Sequence, residues 1–280
     1  MIDRRADSGI APRFGSTVYA AATSKIVVDP TGPLYDDRAQ ALALDAVSAT
    51  SGTIAWNSLV IPGMSTYEVR VNLSRNGIDS TGDWVSHLGS CLDPDMFGDL
   101  GFVLDVRAEM MRREGRAVSV EHWRAELHEF LAASGQDDDA HEAVDRICTA
   151  VDEVDGWIAA AGLLPAGTAL RSVIGAQCSR AVTALRWGAQ SGYGDADAVR
   201  QGLFAARDLA GRHFADWTEY GTSVLAGWAL SEAPENRRAA WDAGLPALAT
   251  LLTAVDSPWR NLDFPLTADF TGLPDLLGDD

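Results

Sequence analysis

Between Ala140 and Gly162 the apolar residues Val144, Ile147, Val151, Val154 and Ile158 recur alternately three and four positions apart, with charge on the intervening positions. That period is the period of an α-helix and of nothing else in the regular repertoire, and it puts one continuous apolar stripe along one side. A helix of this kind buries its stripe only against other elements, so the chain that carries it packs other helices or a sheet onto it. The acidic turn GQDDDA precedes the stripe, and Gly162 and Pro165 end it.

The remaining segments supply helices. A first helix is expected to run from Asp36 through Trp56, opened by acidic residues that suit the positive end of a helix dipole. Around Ser65–Arg75 the alternation of Tyr67, Val69 and Val71 leaves strand and helix both open. Ser80 or Thr81 caps a helix to about Cys91, Pro94 suits the first turn of one that stops near Gly115, and Ser119 with His122 opens another to Ser134. Four more are expected over 168–190, 195–213, 216–231 and 236–255, with Pro246 interrupting or restarting the last. Their buried sides are Val199, Leu203, Ala206 and Leu209 in the second, and Trp217, Tyr220, Val224 and Trp228 in the third.

The fold class that follows is mainly all-α, a compact multi-helix bundle joined by short loops. Residues 1–35 read as an irregular N-terminal arm around the β-prone run Lys25–Val28. Residues 36–280 read as a single helical domain, with a sub-boundary near 162–168 and a loop-like tail from Ser257 that returns apolar groups to the body.

Charge narrows the partners. Forty acidic residues against 22 basic ones give a formal net charge of −18, which repels phosphate backbones and anionic lipid. Neither nucleic acid nor a membrane surface is an expected partner. No apolar run reaches the ~20 residues needed to cross a bilayer, and the start of the chain lacks a signal-peptide stretch, so the cytoplasm is the expected location. All the basic residues but Lys25 are arginine, a bias that fits a GC-rich, actinobacterial type of genome. Cys91, Cys148 and Cys178 are odd in number and far apart, a poor disulfide framework and no metal motif. The sequence carries no signature of an oligomeric state.

Phosphate loops, dinucleotide fingerprints, HExxH and GxSxG elbows are all missing, and His122 and His128 fall on different helix faces. No cofactor and no metal are therefore expected. What stands out is a carboxyl-terminal concentration of aromatic and polar groups: Arg186-Trp187-Gly188, Gly192-Tyr193, Asp216-Trp217-Thr218-Glu219-Tyr220, Trp228 and Ser257-Pro258-Trp259-Arg260. One reading is an aromatic pocket in which Trp187, Trp217, Tyr220 and Trp228 bind substrate while Glu219, Tyr193, His213 and Arg186 carry acid–base chemistry. The other is that the rings fill the core, and that Asp216 caps a helix with Glu219 completing a capping box.

These same motifs resemble the domain-of-unknown-function 1266 family of bacteria, through Arg186-Trp187-Gly188, Gly192-Tyr193, Trp217–Tyr220, Gly227, Asp256–Arg260 and Leu262, mainly over residues 168–262; Asn76-Gly77-Ile78 is a weaker match. The resemblance implies a helical fold and no common activity. The chain departs from that pattern at Gln177, Val224, Trp228 and Ser231, which makes the cleft presumed for the family more apolar here.

Two functions are expected from this reading. The first is a cofactor-independent enzyme acting on an apolar small molecule by dehydration, cyclisation or isomerisation, in the setting of specialised metabolism. The alternative is a non-catalytic acidic interaction module, of immunity or regulatory type, that binds a basic partner protein.

Overall fold

The computed structural model describes residues 25–50 and 52–264. Residues 1–24 of the expected arm, and the end of the chain from residue 265, lie outside the described residues. Within them the chain is all-α, with no strand; Lys25 makes one isolated β-bridge, its N–H donating to the Thr50 carbonyl at 3.0 Å. The β-prone run is thus extended backbone pinned at two points, the second being Trp56 N–H to the Val27 carbonyl.

Helix α1 spans Asp37–Ala43 and α2 spans Ala46–Ala49. A single helix from Asp36 through Trp56 is expected from the sequence, and the structure corrects this. Asp45 interrupts the helix because its carboxylate is drawn into the interior, where Ser179 and Thr183 donate to it at 2.8 and 2.9 Å.

Helix α3, Thr66–Ser74, settles the ambiguous stretch. Ser65 accepts from Glu68 N–H while the Glu68 carboxylate accepts from Ser65 N–H, a complete capping box that outweighs the β-branched alternation. Helix α4 (Thr81–Leu92) starts on a Ser80 cap, and a 3-10 turn over Pro94–Phe97 leads into α5, Gly98–Glu114. Gly115 closes α5 in the left-handed region at φ 69°.

Helices α6 (Val120–Ala133) and α7 (Asp138–Ala161) follow, the latter with Val144, Val151, Val154 and Ile158 all buried. Helix α8 spans Ile174–Ser191, α9 Ala196–His213, α10 Trp217–Leu230, α11 Arg237–Thr253 and the short α12 Pro258–Asn261. Pro246 does not divide α11. It sits on the exposed side of the helix, as does Asp242, whose carbonyl it deprives of a donor.

The centre of the bundle is α8, which packs against α3, α4, α9 and α10. Two of its glycines permit this. A Cβ on Gly188 would lie 2.2 Å from the Trp84 indole, whose N–H donates to the Ala184 carbonyl at 2.9 Å, and one on Gly175 would lie 2.9 Å from the Tyr220 carbonyl of α10. Helices α5, α6 and α7 form a second group, α6 held to α5 by the buried Trp123, whose N–H reaches the Val103 carbonyl at 3.0 Å. None of the helices among the described residues is long and apolar enough to cross a membrane.

Candidate functional site

The aromatic concentration assembles where α10 and α12 meet the α1–α2 junction. Asp216 caps α10, its carboxylate accepting from Glu219 N–H at 2.8 Å, which sets the first turn so that Trp217 and Tyr220 point inward. The Trp217 indole stacks on Trp259 with centroids 5.2 Å apart, and Tyr220 meets both edge-on at 5.8 and 5.9 Å.

Each polar tip in this cluster donates to a backbone carbonyl. Trp217 reaches Leu262 at 2.9 Å, Tyr220 reaches Leu44 at 2.7 Å and Trp259 reaches Ala43 at 2.8 Å. Burial also pushes the Tyr220 phenol well above its ordinary range, so it holds its proton and keeps donating. These groups tie distant parts of the chain together.

The residues expected to carry chemistry occupy different surroundings. The Glu219 carboxylate accepts from Ala215 N–H at 2.9 Å, one residue before the cap, and stands 3.9 Å from Arg171. Tyr193 lies beside α3, its hydroxyl donating to the Asp79 carbonyl at 2.9 Å and the Arg70 guanidinium above its ring. Arg186, 2% exposed, pairs with Asp45 and donates to the Trp56 and Ser58 carbonyls at 2.8 and 3.0 Å. Trp187 and Trp228 are half-buried against the core. Glu219, Tyr193 and Arg186 are not gathered around one point.

His213 has a different setting. It ends α9, and its imidazole is held below the ordinary range by burial and by Arg212, with Asp105 of α5 opposing that shift. Asp105 in turn is raised by burial, against the field of His213. Each thus stands in the other's field, His213 at the end of α9 and Asp105 on α5.

Asp105 opens onto a groove of about 630 Å³ between α5 and α6. Phe102 and Val106 on one wall and Phe130 and Ala133 on the other give it an apolar floor, the two phenyl rings 5.3 Å apart. Glu109, Glu126 and Glu129 line it as well, and Arg113 closes one end by pairing with Glu126 at 3.0 Å.

The cysteines offer no nucleophile. All three are buried and unbridged, and burial pushes the Cys91 and Cys148 thiols up to about 11. Among the described residues no group of three or more His, Cys, Asp or Glu side chains is placed to hold a metal ion.

A family model described as "Protein of unknown function (DUF1266)" matches residues 101–264 of the chain's 280. The chain belongs to that family. No curated protein and no solved structure matches it. The DUF1266 match extends the resemblance back to residue 101, so the α5–α6 groove lies inside it, while Asn76-Gly77-Ile78 falls outside.

In this DUF1266 member the motif residues hold the matched segment to the chain before it. Arg186 binds Asp45, Gly188 makes room for Trp84, Tyr220 binds Leu44, and Trp259 binds Ala43. Sequence reading passed over Asp45 and the groove. Asp45 sits in an otherwise helical run where a buried anion gives no periodic signal, and the groove exists only once α5 and α6 are set side by side.

Proposed function

We propose that this DUF1266 protein is a non-catalytic interaction module that binds a basic partner protein through its acidic surface. The observation carrying this reading is that Glu219, Tyr193 and Arg186 are each engaged by backbone groups or by Asp45, in separate places, in the manner of groups that hold a fold. The chemistry left for a partner is the acidic excess behind a net charge of −18.

The test is association of the full chain with a cationic folded protein and with an acidic one of equal size, at low and moderate salt. Binding to the cationic protein alone is expected, weakening about tenfold or more as salt screens the charges. Equal binding to both proteins, or binding indifferent to salt, overturns the reading.

A second reading, a cofactor-independent acid–base enzyme acting on an apolar small molecule, draws support from one place. Asp105 lines the groove whose apolar floor Phe102 and Phe130 form, and its carboxyl stands in the field of the His213 imidazole, the two kinds of group that proton transfer on an apolar substrate uses. Its test is mass spectrometry of small molecules retained from a cell extract by the native chain and by His213→Gln. A compound retained by both and turned over only by the native chain supports it; identical behaviour of the two counts against it.

A further inference from the structure

We infer that the α5–α6 groove is a docking site for an amphipathic helix of a basic partner, with apolar side chains on the Phe102–Phe130 floor and cations on the two walls. This rests on the interaction-module reading and gives it a place and a partner chemistry.

The first support is the distribution of charge. Glu109 accepts two bonds from Arg112, at 2.6 and 2.8 Å, and Glu126 is paired with Arg113, so those two carboxylates are neutralised within the protein. Asp105 and Glu129 make no hydrogen bond or salt bridge among the described residues, and both residues are exposed, Asp105 with its carboxyl partly desolvated and in the field of His213. They line the groove from different helices, Asp105 on α5 and Glu129 on α6, together with the two phenyl rings. An occupant therefore meets an anion from each helix beside apolar rings, which is the complement of a helix carrying Lys or Arg on both flanks of an apolar stripe.

The second support is the apolar surface itself. Phe130 is 50% exposed, at a position one turn from the deeply buried Trp123–Leu127 side of the same helix. Large aromatic rings left open beside a concave surface mark a place where another molecule settles.

The third is length. On α5 the lining runs from Phe102 to Arg113, about 16 Å at the helical rise, and on α6 from Glu126 to Ala133, about 10 Å. The trough accommodates two to three turns of a facing helix, and its floor is rigid because Trp123 and the Arg107–Asp155 pair lock α5, α6 and α7 from beneath.

The probe is a synthetic peptide of about 18 residues with Leu at helical spacing and Arg along both flanks. Two companions share its length: a scramble of the same composition, and a version with Glu replacing Arg. Fluorescence anisotropy with the full chain is expected to show micromolar binding of the first peptide, at least tenfold weaker binding of the scramble, and none of the acidic version. Glu129→Arg or Phe130→Ser is expected to weaken binding about tenfold, and the milder Glu129→Gln about threefold, whereas Glu153→Arg, at an exposed position of α7, leaves it within twofold. Circular dichroism of each variant checks that the helices are retained.

Equal binding of the scramble overturns the helical partner. If Glu153→Arg weakens binding as much as Glu129→Arg, the groove is not the site, although the acidic-surface reading survives. If no basic peptide binds at low salt, both fall.

Discussion

The indoles of Trp217 and Trp259 lie almost parallel, 9° apart in plane, and each sends its N–H to a carbonyl on a different segment, Leu262 and Ala43. The stack thus joins α10, α12, the residues after it and the end of α1, and its consequences are measurable.

Trp259→Ala is expected to destabilise the fold by about 3–5 kcal/mol, the range for deleting a buried aromatic side chain, because the cavity is added to the lost stacking. Trp259→Phe keeps a ring and loses the bond to Ala43, leaving that carbonyl without its donor, and is expected to cost about 1–3 kcal/mol. Urea unfolding of the two variants checks the order; a smaller loss for Ala than for Phe would contradict the packing described.

Asp45→Ala is expected to cost about 3–5 kcal/mol because it strands the Arg186 guanidinium in the interior without its counter-charge. Adding Arg186→Met to Asp45→Ala is expected to recover a large part of that loss. Non-additivity in a double-variant cycle, read by denaturant midpoints, is the signature. Purely additive losses would mean that the pair is not coupled.

Glycine positions give predictions of opposite sign. Gly188→Ala places a methyl 2.2 Å from the Trp84 ring, which has no room to retreat, and is expected to destabilise by about 1–3 kcal/mol or more. Gly156→Ala, inside α7 with nothing within 4 Å of the added carbon, is expected to stabilise by about 0.5–1 kcal/mol through helix propensity alone. Thermal unfolding separates the two.

Acid is expected to weaken the fold from near pH 6.5 downward. His87, packed on α4 near Cys91 and Arg180, has its imidazole lowered first by burial and then by the Arg180 charge. The unfolded chain therefore binds this proton more readily than the folded one, and stability falls as the pH drops from His87's ordinary value toward its lowered one. The raised carboxyls Asp105 and Asp155 act with the opposite sign, in the carboxylate range at lower pH. Unfolding midpoints at pH 7.5, 6.5 and 5.5 should decline for the native chain and decline less for His87→Gln; an increase on acidification would refute the assignment.

The bundle was largely readable from residue order because its helices carry local signals: the stripe of α7, the caps at Ser80, Ser119 and Asp216, and the stops at Gly115 and Gly162. Where reading went astray, long-range forces prevailed or a local signal was overlooked. At the break the Asp45 carboxylate is held by Ser179, Thr183 and Arg186, the last 141 residues later. The continuity of α11 through Pro246 depends on which side of the helix faces solvent, and in α3 the Ser65–Glu68 box prevails over the alternation of Tyr67, Val69 and Val71. Of the expected site, the capping role of Asp216 and the inward aim of Trp217 and Tyr220 follow from spacing. The mutual field of His213 and Asp105 does not, because it depends on long-range packing.

The bond from Trp259 to Ala43 spans 216 residues. During synthesis the Ala43 carbonyl leaves the ribosome long before its partner is made, so α1 lacks this donor until α12 follows the rest of the bundle. A nascent chain cut off before Ser257 lacks the clasp between α1 and α12, and such a fragment is the form that proteases and chaperones should recognise.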